Sequence, residues 1–175
     1  MPIYTIGHSN HTPDGLLGLL GQFGITNLID IRSVPYSGRF PYFNRKVLKS
    51  LCEERNIVYE WRGDTLGGLR DGKPSFDEIS STEDFSSALN KLIADFLIDE
   101  NPVTTCLICA ERDPARCHRS ALIGPALHKL DIDLHHILAD GTLILQSELS
   151  EQLKAPGSDR SGTLSLFDEE HEKNG

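Results

Sequence analysis

Short apolar runs of strand length alternate along the chain with segments of helical periodicity. The apolar runs are bounded by turn residues, as expected for buried strands, and fall at 3–6, 27–31, 57–61, 103–110 and 134–138. Between them, apolar residues recur every three or four positions, which is typical of helices packed against a sheet. This alternation predicts a three-layer α/β/α domain, Rossmann-like, with a mostly parallel sheet of about five strands.

Local signals set the expected helix boundaries. Thr12 followed by Pro13 predicts an N-cap, and Asn44 is expected to cap a helix that continues to Arg55. Ser81 and Asp84 resemble a capping box at the start of a helix to about residue 99. Further helices are expected over 117–130 and 143–153, whereas 62–80 is predicted to be a long loop that covers a site or moves.

Composition limits the class of protein. No apolar run approaches the roughly 20 residues of a membrane span, and the N-terminus lacks the basic segment of a signal peptide. Four cysteines in 175 residues do not suggest a disulfide framework, so we expect a cytoplasmic protein. Residues 1–153 are expected to form a single domain, and the polar segment 154–175 a flexible acidic tail.

Charge is distributed unevenly. The formal net charge of −9 argues against indiscriminate nucleic-acid binding. Residues 30–73 nevertheless hold nine Lys or Arg against six Asp or Glu, and many arginines fall in or beside predicted loops. Such loops would form a positive mouth that attracts phosphate or carboxylate ligands, unless the arginines are simply scattered and solvated.

The segment 105–120 concentrates reactive side chains. It begins as an apolar strand, turns at Asp113-Pro114 and continues into a helix, and its residues 109–119 carry two thiols, an imidazole and three guanidinium groups. In parallel sheets, ligands bind beyond the carboxyl ends of the strands. We therefore expect this segment to meet the polar residues that follow the other strands at one edge.

Two polar groups follow the first two strands. His8 is interpreted as a proton relay, with Ser9 and Asn10 holding a ligand, or all three as turn residues. Asp30 stands in an apolar run, and Arg32 points to the same side of the strand, so the two are expected to pair. The pair is either structural or grips a ligand at the sheet edge.

The thiols Cys109 and Cys117 allow three interpretations. Cys117, beside basic residues, suits a nucleophile with a lowered pKa. A zinc site could use both cysteines and His118, but the spacing is not a standard motif and lacks a fourth ligand, so no metal site is predicted. The third interpretation makes Cys109 a buried strand residue. Cys109 also counts as a candidate binding residue.

The remaining candidates keep two interpretations each. Glu111 is either a general base or a salt-bridge partner of Arg119. Gly67 and Gly68 either let backbone approach a ligand or form a turn. His135-His136 is expected to be structural, at the far edge from the site.

Five motifs in order resemble the family catalogued as domain of unknown function 488. They span about residues 3–140 and are TIGHSN around His8, LIDIRSVPYS around Asp30, Phe43-Asn44, Leu66-Gly67-Gly68, and CAE with CHR from Cys109 to Arg119. The resemblance implies an α/β domain in which these motifs are grouped, and it implies no established reaction. Ser37 and Asn44 fall within these motifs and are counted as candidate binding residues.

A second resemblance lies in the tail. Thr163-Leu164-Ser165-Leu166-Phe167 is similar to the bacterial sliding-clamp binding peptide Gln-Leu-Ser/Asp-Leu-Phe, with Thr163 in place of glutamine. Apolar anchors at the end of a disordered linker can bind a partner's pocket. Alternatively, they pack on the protein's own surface.

Three function classes follow. The leading hypothesis is an enzyme acting on a nucleotide, nucleic acid or other phosphate-bearing substrate, and the tail peptide extends it to DNA processing or repair. In it, Arg32 and Arg119 hold anionic groups, and His8, Glu111 or His118 transfers protons. The second is a thiol or redox enzyme using Cys117 or Cys109, and the third a non-catalytic module that binds an anionic ligand. The sequence identifies no cofactor.

Overall fold

The computed structural model describes residues 2–97 and 103–155 of the chain. The strands in this part are β1 (Ile3–Gly7), β2 (Asn27–Asp30), β3 (Val58–Trp61), β4 (Thr105–Cys109), β5 (Leu134–Ile137) and β6 (Leu143–Leu145). The α-helices are α1 (Pro13–Gln22), α2 (Arg45–Glu53), α3 (Phe76–Ser80), α4 (Glu83–Leu97), α5 (Gly124–His128) and α6 (Gln146–Lys154). The predicted tail peptide, 163–167, lies outside the described residues.

The strands form one sheet in the order β3-β2-β4-β1-β5-β6. Strands β1 to β5 pair in parallel, and β6 pairs antiparallel with β5. The predicted three-layer α/β/α architecture with a mostly parallel sheet is thereby confirmed, with six strands instead of about five.

Two apolar cores cover the two faces of the sheet. On one face, Leu16 and Leu20 of α1 and Leu48 of α2 pack against Ile6 and Leu28. The other core joins α3, α4 and α5 to the opposite face through residues that include Ile79, Phe85, Leu92, Leu127, Ile29 and Leu107. The neighbouring strands β1 and β4 are therefore followed by connections on opposite faces. Such a divergence opens a crevice at the carboxyl ends of the strands.

The expected helix over 143–153 begins as a strand. Gly141, with φ +82°, forms the turn that returns the chain from β5 to β6. β6 has only three residues, too few to give a periodic signal. Helix α6 then starts at Gln146, where the distant Asp133 accepts hydrogen bonds from Ser147 N at 3.1 Å and Ser147 Oγ at 2.5 Å.

The predicted loop 62–80 contains helix α3. A capping box starts this helix, because Ser75 Oγ accepts from Glu78 N and the Glu78 carboxylate accepts from Ser75 N. Ser81, predicted to cap the next helix, instead follows the end of α3. Thr82 Oγ1 accepts from Phe85 N at 3.3 Å and so serves the first turn of α4.

The predicted helix over 117–130 is divided. A five-residue π-helix, Arg119–Ile123, precedes α5, and Pro125 stands at the start of α5. Proline has no N–H to continue the ladder of hydrogen bonds, so the regular helix restarts there. π-helical turns are often found at functional sites.

The first two helices largely follow the prediction. Thr12 Oγ1 accepts from Gly15 N at 3.1 Å, as expected of the N-cap of α1. Asn44 occupies the N-cap position of α2, but its side chain makes no capping bond, and α2 ends at Glu53, before Arg55. Among the described residues, no helix has both the length and the apolar character to cross a membrane.

Candidate functional site

A cavity of about 730 Å³ lies beyond the carboxyl ends of β2, β3 and β4. Its volume falls in the range of about 300–1,000 Å³ that is usual for small-molecule sites. The charged side chains in its wall are those of Arg32, Arg70, Lys73, Arg116 and Glu111. Apolar surface comes from Val34, Leu69, Pro74 and Phe76. The cavity can therefore hold an anionic ligand that also carries apolar groups.

Two thiols and an imidazole converge in the wall of this cavity. Cys109 Sγ lies 3.5 Å and Cys117 Sγ 3.8 Å from Nδ1 of His118. These three atoms all lie within 4.8 Å of one another, and both cysteines are buried. We call Cys109, Cys117 and His118 the cavity cluster.

A short turn brings the cavity cluster together. Cys109 is the last residue of β4. Asp113 Oδ1 then accepts from Ala115 N at 2.9 Å and starts a 3₁₀ turn over Pro114–Arg116. This turn folds the chain back, so Cys117 returns to the side of Cys109 although eight positions separate them in the sequence.

The two thiols share their protons unequally. A hydrogen bond from Cys117, together with the nearby His118 and Arg119, holds the pKa of Cys109 well below its usual range. Cys117 keeps its proton, because donating to Cys109 raises the pKa of Cys117. At neutral pH the better thiolate is therefore Cys109, whereas the sequence favoured Cys117.

Arg119 is buried beneath the cavity loop. Its Nη1 donates to the carbonyl of Glu111 at 2.7 Å and its Nη2 to the carbonyl of Arg112 at 3.0 Å. The side chain has no exposed surface, and Arg119 is not in the cavity wall. A Cβ on Gly7 would lie 1.7 Å from the Glu111 carbonyl oxygen, so glycine is needed where β1 passes this loop. The geometry makes Arg119 a clamp on the loop and does not favour the predicted contact with a ligand.

Asp30 and Arg32 form the expected pair. Arg32 donates to Asp30 from Nε at 2.8 Å and from Nη2 at 2.5 Å, and Tyr59 Oη donates to the same carboxylate at 2.6 Å. Burial lowers the pKa of Arg32, but the hydrogen bonds and charge of Asp30 outweigh it and raise the pKa overall. Since the pair uses Nε and Nη2, Nη1 is the guanidinium nitrogen not committed to Asp30. Arg32 is thus both structural and part of the cavity wall.

His8 lies beside the cavity wall. Its backbone N donates to Cys109 O at 2.9 Å, and its ring packs on Phe43 with centroids 4.6 Å apart. Burial, assisted by Arg32, lowers the pKa of His8 to about 4, so the ring is neutral at pH 7. Ser9 is half-buried with its N bonded to Ala110 O, and Asn10 is exposed. None of His8, Ser9 and Asn10 lines the cavity.

The glycine pair packs against the cavity loops. A Cβ on Gly67 would lie 2.2 Å from Ser33 Oγ, and one on Gly68 would lie 2.7 Å from His118 Cβ. Ser33 Oγ also accepts from Leu69 N at 2.9 Å. The pair therefore lets this loop approach both Ser33 and His118, which is a packing role next to the candidate site.

Glu111 has the character of a proton-transfer group. It is half-buried in the cavity wall, and burial together with the neighbouring Cys109 raises the pKa of its carboxyl group. A raised carboxyl pKa brings the group closer to neutral pH, where it can both accept and donate a proton. Arg119 bonds the Glu111 carbonyl rather than its carboxylate, so the alternative salt bridge has no support here.

The chain matches the model of a known protein family. A family model described as "Domain of unknown function DUF488" matches residues 12–124. The chain belongs to this family. No curated protein and no solved structure matches it. The match includes every loop that lines the cavity of this DUF488 domain and the whole cavity cluster. It begins after the TIGHSN motif.

The fold separates the predicted site residues of this DUF488 domain into two sets. Those in the cavity wall are Arg32, Gly68, Cys109, Glu111, Cys117 and His118. Those outside it are His8, Ser9, Asn10, Asp30, Ser37, Asn44, Gly67 and Arg119. Ser37 N donates to Asn44 Oδ1 at 2.6 Å, so these two brace the loop after β2.

Several cavity residues were not predicted from the sequence. Those with the clearest chemistry are Ser33, Arg70, Lys73, Phe76 and Arg116, which line the cavity but were not among the candidate site residues. The capping box of Ser75 and Glu78 was the signal that would have located Phe76 at the start of a helix. Ser33 directly follows Arg32, a predicted site residue, so its place in the sequence was the clearest indication that it lies at the site.

Proposed function

We propose that this DUF488 protein is an enzyme that acts on a phosphate-bearing substrate, such as a nucleotide or a nucleic-acid end. One observation carries the proposal. A single cavity combines a cationic wall with two thiols, an imidazole and a carboxyl group whose pKa is raised. Binding and proton-transfer groups that converge in one cavity are typical of active sites.

Three guanidinium groups support the binding of phosphate. Arg70 and Arg116 line the cavity, and Arg32 adds the nitrogen not used by Asp30. Nη2 of Arg70 donates to the Thr65 carbonyl, and this bond anchors the side chain. Arginine donors suit phosphate because they offer two parallel hydrogen bonds to its oxygens. Arg119, which the sequence assigned to this role, is left out because it is occupied by backbone carbonyls.

Glu111 is the proposed acid or base. It lies in the same wall as Arg116 and near Cys109, and its raised pKa suits proton transfer near neutral pH. The half-buried His118 is the second candidate for this task. His8, predicted as a proton relay, has no surface in the cavity and is left out of the proposal.

Calorimetric titration with a panel of nucleotides and short oligonucleotides tests the binding step. Arg70→Gln and Arg116→Gln should each weaken binding about tenfold, since a charged hydrogen bond contributes about 1.5–3 kcal/mol. Arg55→Gln is the matched control, because Arg55 is exposed in the turn after α2 and lies outside the cavity wall. If no compound in the panel binds, the proposal is contradicted.

Turnover separates the enzyme from a binding module. With a bound substrate identified, Glu111→Gln should leave affinity within a few-fold and reduce the rate by about 10²–10⁴. Tight binding without any product, unchanged in Glu111→Gln, would support the non-catalytic alternative.

A thiol enzyme is the second candidate, and the lowered pKa of Cys109 favours it. In this case the Cys109 thiolate would form a covalent bond to the substrate as the bond to the leaving group breaks, and water would later release the adduct and restore the thiolate. Cys117 would be its hydrogen-bonding partner. The test is mass-spectrometric mapping of a covalent adduct during turnover. An adduct on Cys109 would support the thiol mechanism, and full activity of Cys109→Ser would exclude it.

The DNA-processing part of the proposal rests on the tail sequence. If residues 163–167 bind a sliding clamp, the substrate would be DNA at replication or repair sites. Surface-bound clamp should capture the full chain, and Leu166→Ala with Phe167→Ala should abolish capture. Equal capture of that double variant would contradict the clamp interaction without affecting the proposal for the cavity.

A further inference from the structure

We propose that the cavity cluster binds one zinc ion through Cys109 Sγ, Cys117 Sγ and His118 Nδ1, with the fourth coordination position open to the cavity. The catalytic role of this ion rests on the proposed function. Its binding does not, since binding depends only on the three ligand atoms.

The spacing of the three atoms fits tetrahedral zinc. With Zn–S bonds of about 2.3 Å and a Zn–N bond of about 2.0–2.1 Å, tetrahedral angles set each sulfur–nitrogen separation at about 3.5 Å. The two observed separations are 3.5 and 3.8 Å. The same geometry sets the two sulfurs about 3.8 Å apart, and in the structure they lie within 4.8 Å of each other. One ion can therefore contact all three atoms without rearrangement of the backbone.

The kind of ligand selects the metal. Two thiolates and one imidazole form a soft donor set that favours zinc over magnesium or calcium, which prefer oxygen. Structural zinc sites have four protein ligands, whereas catalytic sites have three and leave one position to water or substrate. Among the described residues, the group of potential ligands consists of these three, and all three line the cavity. With three protein ligands and one open position, the cavity cluster corresponds to a catalytic rather than a structural zinc site.

The surroundings hold the ligands in place. The backbone at Gly68 packs against His118 Cβ, where an added methyl group would lie only 2.7 Å away, so the imidazole is confined. Arg119 fixes the loop between the two cysteines through its bonds to the carbonyls of Glu111 and Arg112. Pre-positioned ligands reduce the entropic cost of binding an ion.

A zinc ion also resolves a conflict of charge. A Cys109 thiolate beside Glu111 would repel a phosphate group that the arginines of the wall attract. Zinc binding displaces the Cys117 proton, balances the charge of the two thiolates and offers a Lewis-acidic position toward the cavity. The same ion would then contact an oxygen of the substrate, which fits the anionic ligand of the proposed function.

The test measures zinc in the purified full chain. The protein is produced without a histidine tag, isolated in reductant without chelator, and analysed by inductively coupled plasma mass spectrometry. We expect about one zinc per chain, and at least a tenfold loss in Cys109→Ser, Cys117→Ser and His118→Gln. Cys52→Ser, Cys106→Ser and His128→Gln are the matched controls and should keep the metal, because these residues lie outside the cluster.

A second measurement uses the wild-type chain, so that the proposal can be tested even if the cluster variants do not fold. Metal-free wild-type chain is titrated with zinc against a chromophoric chelator, and circular dichroism checks the fold throughout. No stoichiometric zinc under reducing conditions would overturn the proposal. So would equal retention in the cluster variants, or quantitative isolation of a Cys109–Cys117 disulfide from the reduced preparation. Nucleotide titration of the zinc-free chain is run in parallel, so a failure of the metal site is distinguishable from a failure of the proposed function.

Discussion

Two clusters in this domain each contain a histidine, and they differ in how fully its ring nitrogens are bonded. His136 Nδ1 lies 2.6 Å from Thr5 Oγ1, and its Nε2 lies 3.0 Å from Gln146 Oε1. We call Thr5, His136 and Gln146 the closed cluster. In the cavity cluster, His118 Nδ1 faces two thiols and its buried Nε2 has no hydrogen-bonding partner.

The closed cluster is built for stability. Gln146 completes its own hydrogen bonding by donating to Ser150 Oγ at 3.0 Å. Gly124 makes room for it, since a Cβ there would lie 2.2 Å from Gln146 Oε1. Every polar group has a neighbour of the right kind, and none faces the cavity. The cavity cluster, by contrast, lines the cavity, and Nε2 of its histidine is buried without a hydrogen-bonding partner. Unused bonding capacity of this kind is typical of binding or reactive sites.

Thiol reactivity should show the largest difference between cavity and core. After removal of metal with a chelator, Cys109 should react with iodoacetamide more than about a hundredfold faster than Cys52 or Cys106. Burial raises the pKa of Cys52 to about 12 and also raises that of Cys106, so neither is a thiolate at pH 8. Peptide mapping over time measures the three rates of alkylation. Similar rates for Cys109, Cys52 and Cys106 would show that the cavity thiol is no more reactive than the core thiols.

Truncating each histidine should separate stability from function. His136→Ala leaves Thr5 and Gln146 without partners and opens a cavity, which should reduce the free energy of unfolding by about 3 kcal/mol. His118→Ala removes a half-buried ring at the cavity edge and should cost less than about 1 kcal/mol. Urea unfolding of both variants is the measurement. Equal losses would show that the two clusters are both structural.

Lowering the pH should destabilise the closed cluster. Burial lowers the pKa of His136 to about 4, below the usual 6.5. The unfolded chain therefore binds more protons, and stability present above pH 6.5 is lost as the pH falls toward 4. Between about pH 7 and 4.5, the free energy of unfolding of His136→Gln should fall by about 2 kcal/mol less than that of the wild type. The buried His8 contributes equally to the pH dependence of both proteins, so its effect cancels in the comparison. If His136→Gln and wild type showed identical pH dependence, His136 would not be the group responsible.

Filling the glycine contact at the cavity with a methyl group should cost less stability than truncating His136. A Cβ on Gly68 would lie 2.7 Å from His118 Cβ and 2.9 Å from His118 Cγ. Relief of this clash requires a shift of the backbone of one of the two loops, at a cost of about 1–3 kcal/mol. The same Gly68→Ala change should alter zinc affinity, because it shifts a proposed ligand. Gly18→Ala is the control, since a Cβ there has no neighbour within 4 Å. Unchanged zinc affinity in Gly68→Ala would show that the loop does not hold His118.

The fold was largely predictable because the alternation of apolar runs and helical periods extends through the chain. β6 was not predicted because three residues give no periodic signal, and α3 was not predicted because its capping box lies in a glycine-rich segment. The split of the predicted helix over 117–130 was readable in principle from Pro125, which follows Gly124 directly.

The candidate site was predictable as an edge of the sheet but not as a set of contacts. Arg32 and Arg119 look alike in sequence, yet the first reaches the cavity and the second bonds loop carbonyls. Cys109 and Cys117 match no metal motif, because their proximity depends on a 3₁₀ turn folding the chain back. Spacing rules describe ligands on regular elements, and here the ligands are joined by an irregular loop.

X-ray absorption at the zinc edge tests most directly the claim that the cavity cluster is a reactive centre. For the purified, zinc-loaded chain we expect two sulfurs at about 2.3 Å from the zinc, with one nitrogen and one further light atom at about 2.0–2.1 Å. Addition of a bound phosphate compound should change only the light-atom shell. A spectrum of nitrogen and oxygen neighbours without sulfur would contradict the central claim.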